Sequence, residues 1–191
     1  MGIVQKQAQT YSFQNYLTLE KTSQIRHEYE RGSVRAMAGG TKRHNRLVNN
    51  CTFGLDSQIQ EKKCDVFSEN VKLELLPQEF YVYPDVVLTC DPQDLKDDKE
   101  SLIQFPSLII EVLSEGTALY DQNQKKLAYL RLLSLQYYVF VAQHTVLVEV
   151  YERNQQAWLY QNYQNLTATI HFPSLKLSLL LAEVYKGIHF E

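Results

Sequence analysis

The sequence predicts an α/β domain, α+β in some schemes, built on a central mixed β-sheet with flanking helices. Three observations predict it. Residues 107–114 are a short run of mostly β-branched apolar residues, the pattern of a strand buried on both faces. A helical pattern over 119–133 and a strand pattern over 137–142 follow it, and strand–helix–strand implies a crossover between parallel neighbours. Strand patterns over 64–75 and 81–89 are joined by the short link 76–80, so these two should be antiparallel neighbours.

Taken in order, Phe13, Tyr16, Leu17 and Leu19 recur at helical spacing after Ser12, a good N-cap, and predict a short helix over 12–20. Residues 25–38 predict two short strands turning at Gly32-Ser33. After Gly39-Gly40-Thr41, the stripe Leu47, Cys51, Leu55 and Ile59, with Val48 beside it, predicts an amphipathic helix over about 42–62. The alternation in 64–75 changes phase near 68–70, which implies a register change. Asp91 to Glu100 reads as a charged, solvated loop. In the helix over 119–133, Leu127, Leu130 and Leu133 supply the apolar face. Strands follow over 137–142 and 146–151, then 156–161 and 167–171 as an edge pair, and a last short helix over 179–185.

With 191 residues the chain suits one domain over 1–191, with 1–11 flexible, and a hydrophobic content of 45% excludes a disordered chain. A net charge of −3 argues against a surface that coats nucleic acid as a whole, yet leaves room for a local basic cleft. The three cysteines are widely spaced, show no zinc pattern and do not suggest a disulfide framework. The N-terminal residues lack the apolar core of a secretion signal, and no run approaches the roughly 20 residues of a membrane span, so a cytoplasmic protein is expected.

Chemistry is suggested at three places. Glu111 is a carboxylate inside an apolar strand, costly unless paired, hydrogen-bonded or metal-bound. Asp85 follows Pro84 mid-strand, where proline demands an edge, a bulge or a distortion that re-aims the next side chain. Lys125 lies on the following helix, with Lys126 beside it. Two carboxylates from neighbouring strands, with the backbone carbonyl of Val112, suit Mg²⁺ or Mn²⁺, and a lysine could position the attacking water. No acid occurs between Arg31 and Leu55, while Arg31, Arg35, Lys42, Arg43 and Arg46 fall in or border that window: a basic patch for a phosphate backbone, or a solvated helix start. The ordinary readings of the three site residues are a strand-end carboxylate, a lysine-paired strand-end acid and solvated helix surface.

The strings Tyr83-Pro-Asp-Val-Val-Leu, Pro106-Ser-Leu-Ile-Ile-Glu-Val-Leu-Ser with Thr117, and Tyr120-Asp-Gln-Asn-Gln-Lys-Lys-Leu-Ala-Tyr129 resemble the Uma-two-like family of bacterial restriction-endonuclease-like proteins. Arg26-His-Glu-Tyr, Ala36-Met-Ala-Gly-Gly and His44-Asn45 match in the same order, from about residue 12 to the end. The resemblance implies a restriction-endonuclease-like core and a Pro-Asp…(Asp/Glu)-x-Lys site, with Asp85 and Glu111 as metal carboxylates. The usual lysine two positions after the glutamate is Leu113 here, and the resemblance implies that a lysine on the next helix, matched by Lys125, substitutes for it. His44 and Glu28 also fall in family motifs and are possible accessory residues; a core histidine and a hairpin surface acid are their ordinary readings. The implied activity is Mg²⁺-dependent endonucleolytic hydrolysis of DNA, with a homodimer common in this fold. The alternative is a catalytically silent module that binds nucleic acid or protein on the same fold, or a subunit of an assembly paired through edge strands.

Overall fold

The computed structural model describes residues 10–37, 39–59, 63–97, 99, 101–113 and 125–190. Helix α1 (Phe13–Thr22) starts at Ser12, whose hydroxyl accepts the Asn15 N–H. Strands β1 (His27–Glu30) and β2 (Ser33–Ala36) form a hairpin turning at Arg31-Gly32. Helix α2 (Lys42–Ile59) buries the expected stripe of Leu47, Val48, Cys51, Leu55 and Ile59. The remaining strands are β3 (Asp65–Ser68), β4 (Lys72–Leu76), β5 (Phe80–Val82), β6 (Val86–Thr89), β7 (Leu102–Ile103) and β8 (Pro106–Leu113), then β9 (Tyr137–Ala142), β10 (Val148–Asn154), β11 (Ala157–Tyr163), β12 (Thr169–Phe172) and β13 (Leu177–Leu180). Helix α3 (Lys126–Tyr129) lies between β8 and β9, and α4 (Leu181–Val184) follows β13.

A six-stranded mixed sheet, β11-β10-β9-β8-β6-β3, has β8 near its centre, antiparallel to β6 and parallel to β9. A five-stranded sheet, β2-β1-β5-β4-β7, adjoins it. The two strand patterns expected over 64–75 and 81–89 each break in two. They pair as one bent antiparallel hairpin: β3 with β6 in the larger sheet, β4 with β5 in the smaller. The bend falls at 69–71 on one arm and 83–85 on the other. Proline at 84 offers no N–H to a ladder, and the Glu69 N–H bonds the Asp85 carbonyl across the bend at 3.1 Å. Asp85 thus sits in the break between two strands, not at the centre of one.

Alternation along β8 sorts its side chains. Leu108, Ile110 and Val112 join α2 in the core on one face; Ile109 joins Tyr129, Tyr138 and Phe140 in the core on the other. Glu111 shares the face of Ile109 by parity.

Several expectations need correction. Helix α3 ends at Tyr129 instead of 133, and Leu127 and Leu133 are exposed while Tyr129 and Leu135 are buried. The guanidinium of Arg153 takes the carbonyls of Leu130, Leu132 and Leu135, which turns the chain out of the helix. The start of that expected helix, 119–124, and Thr117 lie outside the described residues. Strand β11 pairs with β10 and β12 with β13, so 156–161 and 167–171 are not partners. Cys64 and Cys90, opposite one another just beyond the β3–β6 ladder, form a disulfide, against expectation; Cys51 is buried and free. Asp94 is not merely solvated: its carboxylate accepts from Thr89, Gln104 and Phe105 and pins its loop to β6 and the start of β8. No helix among the described residues is long and apolar enough to cross a membrane.

Candidate active site

The register places the site. Val86 is opposite Ile110 at the end of the β6–β8 ladder, so Asp85 and Glu111 are the next opposed positions on the same face. Opposed residues of an antiparallel pair have Cβ atoms roughly 5 Å apart, and like charges there repel. The surroundings explain how the pair is tolerated. The Asp85 N–H points to Glu111 Oε2 at 3.4 Å, and Asp85 Oδ2 accepts the Val112 N–H at 2.7 Å. Each carboxylate is therefore anchored on the other's strand. Asp85 Oδ2 also meets His44 Nε2 at 3.2 Å.

Glu111 is 3% exposed. Its Oε1 accepts the Tyr129 hydroxyl at 2.8 Å and lies 3.8 Å from the Lys125 ammonium. Lys125, just before α3, is buried, and its Nζ is 2.7 Å from Glu28 Oε1, an ion pair. Arg35 approaches the other oxygen of Glu28 at 4.0 Å. Burial, and next the negative charge of Glu111, hold the Tyr129 phenol well above its usual range, so it stays a hydrogen-bond donor. Cys51, on α2, is pushed up to about 12 by burial and then by the Asp85 charge, and remains a thiol.

His44 reaches Asp85 because the chain before α2 lies flat against it. A Cβ added at Gly40 would come 2.9 Å from the ring Nδ1. Thr41 accepts the His44 N–H at 3.1 Å and touches the Gln143 side chain, whose amide donates to the Leu113 carbonyl at 2.9 Å. The end of the Glu111 strand and the start of α2 are thereby tied together.

The groups at the Asp85–Glu111 gap are the two carboxylates, the Val112 N–H and, at the edge, the His44 ring nitrogen. Asp85 and Glu111 form the facing carboxylate pair, and Glu28 and Glu111 share one buried lysine, Lys125. The carboxylate pair fits a hard divalent cation that keeps several waters. Among the described residues no three of His, Cys, Asp and Glu form a metal-ligand cluster.

A family model described as "Putative restriction endonuclease", Uma2, matches residues 13–182. This chain belongs to the Uma2 family. Among its relatives is the uncharacterized protein slr1290 of Synechocystis sp., 31% identical over 178 residues, which cover 93% of this chain and 92% of that protein. The uncharacterized protein sll1609 of the same organism is 31% identical over 163 residues, covering 85% and 92%. The fold is also that of a protein from Anabaena variabilis described as a "putative nuclease belonging to DUF820", with TM-score 0.76 at 16% identity, covering 94% of this chain and 99% of that one. The mixed sheet with flanking helices is thus the restriction-endonuclease-like core that the sequence motifs implied.

Within this Uma2 core the residues singled out by sequence separate clearly. Asp85, Glu111, Lys125, Glu28 and His44 converge. Glu28 is a buried partner of Lys125, not a hairpin surface acid, and His44 serves the site edge instead of the core. Lys126 turns away: its ammonium meets the Tyr151 hydroxyl at 2.7 Å and lies over that ring. The five basic residues do not form one patch. Arg31 pairs with Glu79 at the surface, Arg35 leans toward Glu28, and Lys42, Arg43 and Arg46 line a separate cleft. Sequence reasoning missed Tyr129; the signal was its place four residues after Lys125, which on a helix means the same face.

Proposed function

We propose that this Uma2 protein is a metal-dependent endonuclease that hydrolyses phosphodiester bonds of DNA. One observation carries the reading: Asp85 and Glu111 are opposed at the ladder end, each bonded to the other's strand, with the Lys125 ammonium 3.8 Å from Glu111. Asp85, Glu111 and the Val112 carbonyl would hold Mg²⁺ or Mn²⁺. Such an ion, when bound, polarises a phosphoryl oxygen and lowers the pKa of a bound water.

The chain's own residues do the rest. Lys125, a donor without acceptor capacity as an ammonium, orients the attacking water and offsets negative charge as the water oxygen bonds to phosphorus and the P–O ester bond breaks. Glu28 fixes that ammonium. Tyr129 holds one Glu111 oxygen and turns the other toward Asp85. His44 holds one oxygen of Asp85 from outside. A dimer would let two such centres act on the two strands of a duplex.

Supercoiled and linear DNA incubated with the protein in Mg²⁺ or Mn²⁺ tests this. Cleavage should appear with metal, vanish with chelator, and fall at least about a hundredfold in Asp85→Ala and in Glu111→Ala, the scale of losing one electrostatic stabiliser in a catalytic site. Wild-type-like cleavage by either variant sinks the mechanism. A second reading, a silent binding module, draws on Leu113 in the usual lysine position and on the 2.7 Å pairing of Lys125 with Glu28. It predicts DNA binding without cleavage in either metal.

A further inference from the structure

We propose that the cleft between the first two turns of α2 and residues 187–189 is a phosphate subsite, holding a DNA backbone phosphate beside the one at the Asp85–Glu111 centre. The proposal rests on the DNA reading above and adds a place to it. The cleft has a volume of about 210 Å³ and is lined by Lys42, Arg43, Arg46, Gly187, Ile188 and His189. Three of the six lining residues are cations, in a chain whose net charge is −3. Among the described residues none of the three has a carboxylate in ion-pair reach. Several cations elsewhere do find acids: Arg31 has Glu79, Arg35 and Lys125 have Glu28, Lys72 has Glu20.

Arg43 is held by hydrogen bonds, and Arg46 lies beside a glycine. The Arg43 guanidinium donates to the His189 carbonyl at 3.0 Å and the Gln143 carbonyl at 3.4 Å, beside His144 Nδ1 at 3.3 Å. Arg46 lies against Gly187, where a Cβ would sit 2.9 Å from its guanidinium nitrogen, and Gly187 has φ +73°, a conformation that side chains disfavour. A glycine there lets the C-terminal segment close over Arg46. The planar Arg43 guanidinium, fixed in advance by those carbonyls, suits the oxygens of a tetrahedral phosphate, and little of its rotamer entropy is lost on binding.

Position ties the cleft to the centre. Arg43 and His44 are consecutive on α2; His44 touches Asp85 while Arg43 faces residues 187–189. Gln143 joins both ends, its carbonyl to Arg43 and its amide to the Leu113 carbonyl at the end of the Glu111 strand. A strand bound at the centre is thus offered a second anion contact on the same rigid helix.

The side chains of Lys42 and Arg46 make no hydrogen bond among the described residues, so changing them should spare the fold; thermal melts of each variant check it. The full-length protein is titrated with fluorescein-labelled duplex DNA in chelator, by anisotropy, across a salt series. The doubly substituted Lys42→Glu/Arg46→Glu protein should bind at least about tenfold more weakly, with the log K against log salt slope reduced by about 1 to 2. Arg31→Glu, distant in its pairing, should leave both unchanged. Unaltered binding and slope in the double variant overturn the subsite. If inorganic phosphate protects the cleft in wild type but DNA affinity does not depend on it, the site takes free phosphate and the backbone assignment is overturned. Failure of the nuclease reading looks different: DNA binding that depends on Lys42 and Arg46, with no cleavage in any metal, supports the subsite and refutes the catalysis.

Discussion

Removing the Tyr129 hydroxyl isolates one bond in the site with almost no change of shape. Tyr129 is fully buried, and its hydroxyl donates to Glu111 Oε1 at 2.8 Å. A hydrogen bond to a charged group contributes about 1.5–3 kcal/mol. In Tyr129→Phe the ring still packs edge-on against Tyr138, 4.9 Å between centroids, so packing loss is small. The remaining cation near Glu111 Oε1 is Lys125 at 3.8 Å, which also serves Glu28. The cost should therefore sit at about 2 kcal/mol. Urea unfolding in chelator, followed through the single tryptophan, Trp158, measures it. Repeating the substitution in Glu111→Gln closes a double-mutant cycle, and a coupling of at least about 1 kcal/mol is expected. A single-variant cost below about 0.5 kcal/mol, or a cost that persists unchanged in the Glu111→Gln background, refutes the claim that the phenol acts through Glu111.

Two further outcomes follow from groups outside the site. Burial alone would raise the Glu20 pKa, but hydrogen bonds from Tyr83 and Lys72, the Lys72 charge and the His27 N–H outweigh it and hold the carboxyl below its ordinary 4.5. A depressed carboxylate adds stability that is present above the unfolded pKa and is lost as pH falls through the folded one. Lys72→Met should thus move the acid-unfolding midpoint upward, as read by circular dichroism between about pH 5 and 2; an unmoved midpoint counts against the pairing. For the Cys64–Cys90 bridge, with a separation of 26 residues, chain-entropy arguments give about 3.5 kcal/mol. Cys64→Ser should lower stability by up to that amount, and three free thiols in the unreduced, denatured protein would rule the bridge out.

The sequence made some features legible for a physical reason and hid others for another. The α2 stripe was plain because one face of one helix packs on one sheet, and periodicity reports faces. The bent hairpin was half-visible. A phase change near 68–70 and a proline at 84 marked both bends, but alternation says which face a residue takes and not which sheet its strand joins. The face of α3 was misread because three leucines at spacing three look like a core stripe. What decided it was Arg153, more than twenty positions on, capturing the carbonyls after Tyr129. The pairing of β11 was misread because strand patterns carry no address; the tight turn at Gln155 (φ 56°) sends it back along β10.

The site itself sits where two of these features meet. The bend that Pro84 imposes stops the β6–β8 ladder one pair short, and that missing pair is Asp85 and Glu111. Had the ladder continued, backbone groups would have been consumed in pairing and two like charges would have been opposed without relief. Stopping it frees the Val112 N–H for Asp85. Among the described residues around that gap, three carboxylates (Glu28, Asp85 and Glu111) stand against Lys125 and, at 4.0 Å from Glu28, Arg35. Two unit charges about 4 Å apart repel by about 4 kcal/mol at an effective dielectric constant of 20. Hydrogen bonds from Tyr129 and His44 reduce that repulsion without cancelling its sign, and a divalent cation would cancel it. The same excess that makes the metal-free site costly is therefore what would draw the ion in, and stability that rises with Mg²⁺ or Mn²⁺ in wild type but not in Glu111→Gln is the signature to expect.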